Sequence, residues 1–350
     1  MALEKLGFKE IMYKKIIVGI VAVLSLFILN YLLETFDIAF AAAVLFLVLM
    51  YSIMGMAWNI LGGYGGVISF GHGVFFGLGA YIVMSLWLFY GLTPWIGIPI
   101  AGICAVILAG GLSILLRLRG HWFALATIAM IYIFLLLFQA YAPGGAAGLQ
   151  APIVPPEKQL YYLAFAGPYF YVYLALTILI IEIIFLRKVV NSHIGYYLQA
   201  IREDEDAAKA LGINPFKYKL IALLISAFFW GIAGGLYTVR FRFVDPYCVF
   251  DLILISEYPV IAALLGGLYE FWGPIVGTVI FVPIAEYLRA QVVSAFPRYY
   301  GLHYFISGII FLILIYVAPE GILGRLRERQ YLKRFKIRSG NSNLKLKNRY

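Results

Sequence analysis

Charge is what this chain has least of. Only 13% of its 350 residues are Asp, Glu, Lys or Arg, against 63% hydrophobic residues and a mean hydropathy of +0.92. Soluble domains carry about 25% charged residues, so a water-exposed globule is excluded. Cysteine is nearly missing: Cys104 stands inside an apolar run and Cys248 in a loop, which argues against a structural disulfide. Histidine is scarce as well. His72, His121, His193 and His303 show neither H-x-x-x-H nor H-E-x-x-H spacing, so no metal site is expected. No G-x-x-x-x-G-K-S/T phosphate loop occurs, so the chain does not hydrolyse ATP itself. Nor is there a G-x-S-x-G elbow or a Cys/His pair within one leaflet, which leaves an intramembrane enzyme a poor fit.

Long apolar runs are what the chain does have. Several approach or exceed the roughly 20 residues that cross the hydrocarbon core as helix. They are continuous rather than alternating, which excludes membrane strands. The expected fold is an all-α polytopic membrane protein with ten crossings, at 16–33, 38–61, 73–90, 94–116, 121–141, 169–186, 220–239, 252–267, 274–289 and 303–318. The first follows Lys14-Lys15 like a signal peptide. It is long, lacks a small-residue cleavage site and runs into further helices, so it is read as an anchor. With the N-terminus inside, only Lys158, Arg240, Arg242, Arg289 and Arg298 of the 27 Lys and Arg fall outside. That bias places both termini on the cytoplasmic side of the membrane. Residues 1–15 form an N-terminal tail, 16–318 the membrane domain and 319–350 a basic tail. The tail, with Arg325, Arg327, Lys333 and Lys336 among others, lies against anionic lipid headgroups. No folded module accompanies it, so no nucleic-acid partner is expected. The outer segment 143–168 is rich in glycine, proline and alanine and enters an aromatic belt.

The longest strongly polar stretch, 191–219, lies within the cytoplasmic loop 187–219. Within it Arg202-Glu203-Asp204-Glu205-Asp206 precedes Ala207-Ala208-Lys209-Ala210-Leu211, then Gly212 and Pro215. Acids in a first turn suit the positive end of the helix dipole. Gly212 and Pro215 end the helix. Ile201, Ala208 and Leu211 give it one small apolar stripe. Such a helix suits docking into a groove on another protein; the competing reading is a solvated connection.

Glycine breaks two of the crossings. Gly62-Gly63-Tyr64-Gly65-Gly66 leads to Ser69 and His72, and Gly266-Gly267-Leu268-Tyr269 leads to Trp272-Gly273-Pro274. Glycine-interrupted segments in two halves of a transporter point to broken helices around a pathway, although glycines also simply allow close packing. Among intramembrane charges, Glu182 can snorkel to an inner end and Glu286 pairs with Arg289 at i,i+3. Glu257 and His72, beside the breaks, are the pathway candidates, together with Gly62, Gly63, Ser69, Gly266 and Gly267.

These blocks carry a resemblance. The run Trp58–Gly66, then Ser69-Phe70-Gly71-His72 and Phe75–Tyr81, resembles the early signature of LivM-type permeases. Ala200–Asn214, Gly266-Gly267 with Trp272-Gly273-Pro274 and Gly277, and Ala318–Gly324 are similar to later blocks of that family. The resemblance runs in order over residues 35–325. It implies an ABC importer permease fold and import of branched-chain amino acids, or of urea or short amides, which relatives also carry. It implies two ATP-binding ATPase subunits, a second permease of LivH type in a heterodimer and an external solute-binding protein. No cofactor is implied on this chain. Asp206-Ala207-Ala208 with Gly212 matches the spacing of the family's E-A-A-x-x-x-G coupling helix, with aspartate for glutamate. Coupling to the ATPase then falls to Arg202, Asp206, Ala207, Ala208 and Gly212. The rival class is a secondary transporter driven by an ion gradient through Glu257 and His72.

Overall fold

Apolar runs bounded by glycine, proline and capping residues become helices throughout. The computed structural model describes residues 21, 23–118, 120–295, 302–317 and 321–325. In chain order α1 covers Val23–Thr35, α2 Ala39–Asn59, α3 Gly73–Tyr90, α4 Pro94–Leu112, α5 His121–Tyr141, α6 Gln159–Tyr162 and α7 Tyr169–Val190. Then come α8 His193–Glu203, α9 Glu205–Ala210, α10 Pro215–Phe241, α11 Pro246–Val249, α12 Tyr258–Gly266, α13 Gly273–Ala295 and α14 Leu302–Val317. Among the described residues eight spans are long and apolar enough to cross a membrane, and they correspond to the second to ninth expected crossings. The first and tenth lie partly outside the described residues, as do both tails.

The bundle is built around α2 and α10. α10 packs on α3 and α4; α2 packs on α7, α13, α10 and α12. Without a hydrophobic force between helices in lipid, close backbone approach and interhelical hydrogen bonds hold such pairs together. Gly231 and Gly234 of α10 bring its backbone against α4 and α3. Trp230 donates from Nε1 to the Met54 carbonyl at 2.9 Å, and Thr238 Oγ1 donates to the Ala80 carbonyl at 3.0 Å. Ser52 and Thr278 share a hydrogen bond of 2.5 Å between α2 and α13. Glu182 is 0% exposed and neither carboxylate oxygen has a hydrogen-bond partner. It therefore does not snorkel, as its distance from Arg187 suggested, but sits inside the bundle.

Two strands pair antiparallel at the end of the bundle away from α8 and α9. β1 (Leu149–Gln150) aligns with β2 (Phe243–Val244), Leu149 opposite Val244. They tie the 142–168 segment to the end of α10, where Arg242 also donates to the Phe165 carbonyl.

Candidate functional site

Both glycine-rich interruptions are real breaks, of different build. After α2 the chain widens into a π-type turn over Ile60–Tyr64, then folds back so that Trp58 Nε1 donates to the Ser69 carbonyl at 2.7 Å. Such turns recur at functional positions because they disrupt the regular backbone ladder. The second break is a tight bend between α12 and α13, where Gly267 takes φ +127. A second π-type turn, Leu252–Glu257, precedes α12, started by Asp251, whose carboxylate accepts from the Leu254 N–H at 2.6 Å. Sequence reading missed that turn; its signals were an Asp cap ahead of Pro259.

The breaks meet at two levels. Deep in the bundle, the Gly73 N–H donates to Ser256 Oγ at 2.9 Å, so the residue after His72 lies against the residue before Glu257. His72 is 1% exposed. Its Nδ1 lies 3.0 Å from Ser69 Oγ, its ring contacts Trp230 and Phe75, and its Nε2 has no partner. His72 thus engages the Ser69 hydroxyl, which itself accepts from the Gly71 N–H. Glu257 is half-buried at the start of α12.

At the α8–α9 end the contact is tighter. A Cβ on Gly63 would lie 2.2 Å from the Leu268 carbonyl oxygen, so only glycine lets the second break approach the first there. Gly62 is crowded in the same way by the Trp58 ring. Asn59 Nδ2 donates across the pair to the Glu270 carbonyl at 3.2 Å. Gly266 and Gly267, at the end of α12, complete the second break.

Arg202 closes this junction. It belongs to α8, yet its Nη1 donates to the Gly63 carbonyl at 3.4 Å and its guanidinium stacks 4.4 Å over the Tyr269 ring. Its Cγ lies against Gly66. One side chain therefore touches the first break twice and the second once. Tyr269 and Asn59 were named in sequence only as members of the glycine-break blocks, because nothing local to them signals the distant partner.

The polar stretch folds as two helices rather than one. Asp204, at φ −155, leaves the helical region and caps α9: its carboxylate accepts from the N–H groups of Asp206 and Ala207, each at 2.9 Å. That break separates Ile201 from the later residues and dissolves the expected stripe. Ile201 and Ala208 are buried against the chain, whereas Leu211 is 82% exposed. Asp206 and Ala207 are exposed, and α9 stops before Gly212 at φ +84.

Glu205 holds α9 to the start of α10. It pairs with Lys219 at 2.5 Å and with Lys209 at 3.0 Å. Burial pushes its carboxyl upward, but hydrogen bonds from Lys219 and Lys209 outweigh burial and hold it below its ordinary value of 4.5. A depressed folded pKa means the tie is present above pH 4.5 and is lost as the pH falls through the folded value. Hydrogen exchange of the 204–219 amides is therefore expected to accelerate on acidification more than in Glu205→Gln. Equal acceleration in both would show that another group controls the loop.

A bundle of spanning helices, two broken and joined by a helix outside the spans, defines a multi-pass membrane permease. The chain belongs to the family described as branched-chain amino acid transport system / permease component, which matches residues 40–315. It is 30% identical over 317 residues to the high-affinity branched-chain amino acid transport system permease protein LivM of Escherichia coli, covering 82% of this chain and 71% of that one. It is 26% identical over 270 residues to the probable branched-chain amino acid transport permease protein LivH of Methanocaldococcus jannaschii, covering 74% and 83%. The solved structure of PsaBC from Streptococcus pneumoniae in complex with Fab is similar over 81% of this chain and 94% of its own, at 14% identity and a TM-score of 0.41.

Proposed function

We propose that the chain is the membrane permease subunit of an ATP-binding-cassette importer carrying branched-chain amino acids into a prokaryotic cell. Two separate ATPase subunits bind and hydrolyse ATP, a LivH-like permease completes the membrane part, and an external solute-binding protein delivers the solute. The α8–α9 end and both termini face the cytoplasm, as the distribution of Lys and Arg favours. Arg202 is the observation that supports this reading, because it joins α8 to both broken helices at once. Next to it, α9 turns Ala207, Ala210 and Leu211 outward. An exposed leucine on a short helix fits the cleft of an ATPase. Closure of the ATPases then displaces α9, α8 transmits the shift through Arg202, and the population of open and closed pathways changes.

Purification of the tagged chain from native membranes is expected to bring two ATPases and a second permease with it. Leu211→Glu is expected to lose the ATPases by at least about tenfold, as an interfacial apolar anchor does, while the chain remains in the membrane. A lone chain that takes up leucine in vesicles without ATP, and loses this on Glu257→Gln, overturns the proposal in favour of an ion-gradient transporter using Glu257 and His72. ATP-driven uptake of urea or acetamide instead of leucine overturns the choice of solute.

A further inference from the structure

A cavity of about 570 Å³ lies between α2, α10, the 247–255 segment and α13, away from the Arg202 junction. That is within the roughly 300–1,000 Å³ of small-molecule sites. Its walls from α2 are apolar, with Phe46 and Met50 among them, and four charged side chains line it: Arg240, Asp251, Glu286 and Arg289. Charges bordering a membrane bundle are costly and mark solute paths when they face a cavity. Two of the four satisfy each other, since Arg289 donates to the Glu286 carboxylate. The remaining two differ. Arg240 lies over the Tyr171 and Phe241 rings, at 5.7 and 5.4 Å, and its buried Nε–H has no acceptor. Asp251 uses only Oδ1 for the Leu254 N–H.

An arginine with an unpartnered donor, one carboxylate and an apolar wall match a small zwitterion with an apolar side chain. A neutral amide would leave both charges unanswered, at the cost of desolvated charge. We infer that this cavity holds the solute by its two ends, Arg240 taking the carboxylate, Asp251 the ammonium group, and Phe46 and Met50 the side chain. The inference rests on the importer reading for its solute class and adds the residues that recognise it.

The test is binding of tritiated L-leucine, by scintillation proximity, to the full chain in lipid nanodiscs with whatever subunits accompany it, and no nucleotide. Saturable binding is expected, displaced by L-valine but not by 4-methylpentanoate or 3-methylbutylamine, each of which lacks one charge. Arg240→Gln and Asp251→Asn are each expected to weaken binding at least about tenfold, the worth of one charged hydrogen bond. Asparagine at 251 keeps an acceptor for Leu254, so the start of the π-type turn survives. No saturable binding by the parent, equal displacement by the singly charged analogues, or parental affinity in both variants overturns the inference. With ATP absent, the result is independent of whether α9 couples to ATPases, which the co-purification decides separately.

Discussion

In the importer proposed above, Arg202→Ala is expected to cut solute uptake by more than about tenfold while the ATPases stay bound and hydrolyse ATP at an undiminished basal rate. The size follows from what the side chain joins. Its cation–π contact with Tyr269 is worth about 0.5–2 kcal/mol depending on desolvation. Its bond to the Gly63 carbonyl, at 3.4 Å, adds a weaker charged interaction. Coupling energies of about 1–3 kcal/mol change a linked equilibrium roughly 5- to 150-fold, and the loss of both contacts reaches that range. The neighbouring pair with Glu203 does not contribute comparably, because Glu203 is 72% exposed and surface pairs are worth about 0–1 kcal/mol. Arg202→Lys keeps the charge but not the planar stack, so it should fall between the parent and alanine. Tyr269→Leu removes the other partner, and the double variant should lose little more than either single one, the mark of one shared interaction. The quantity to measure is leucine moved per ATP hydrolysed in proteoliposomes. If Arg202→Ala keeps that ratio, the junction does not transmit.

The same residues show how far the sequence could be read. The membrane class, eight of the crossings and both glycine breaks were legible because apolar run length and glycine clusters are local signals. The helix end at Gly212 was legible for the same reason, since a residue with φ +84 favours glycine. What was not legible is anything that depends on long-range pairing. Arg202 could be named from its place beside the acidic cluster, but its partners Gly63 and Tyr269 are 139 and 67 positions from it. The apolar stripe of Ile201, Ala208 and Leu211 failed because helical periodicity was assumed to continue through Asp204, whose own carboxylate competes with the helix and starts a new one. Glu182 was placed at the lipid interface by its spacing from Arg187, whereas the packing of α7 buries it. Of the charged cavity only the Glu286–Arg289 pair was legible, from its i,i+3 spacing. Arg240, Asp251 and Glu286 come from three separate segments, and only the fold makes them neighbours.

Gly266→Ala is expected to be severely damaging to stability, because a methyl there has nowhere to go. Its Cβ would lie 1.7 Å from the Gly273 carbonyl oxygen and 2.8 Å from the Gly277 nitrogen. Both are backbone atoms, so no side-chain rotation relieves the clash. α12 and α13 must part, and α12 is the helix that carries the second break towards Arg202. Overpacking commonly costs about 1–3 kcal/mol and more when backbone must move, so a loss above roughly 3 kcal/mol is expected. For a chain of this size that exceeds what a marginally stable fold tolerates without a large fall in Tm. Gly110→Ala in α4 is the matched control. Its Cβ would meet nothing within 4 Å, and replacing a helical glycine by alanine gains up to about 1 kcal/mol. Yield of monodisperse protein and the melting temperature in detergent distinguish the two: Gly266→Ala should be poorly recovered or melt far earlier, Gly110→Ala should match or exceed the parent. If Gly266→Ala melts with the parent, α12 and α13 do not approach as closely as their backbones are placed, and the second break is a loose hinge rather than a packed one.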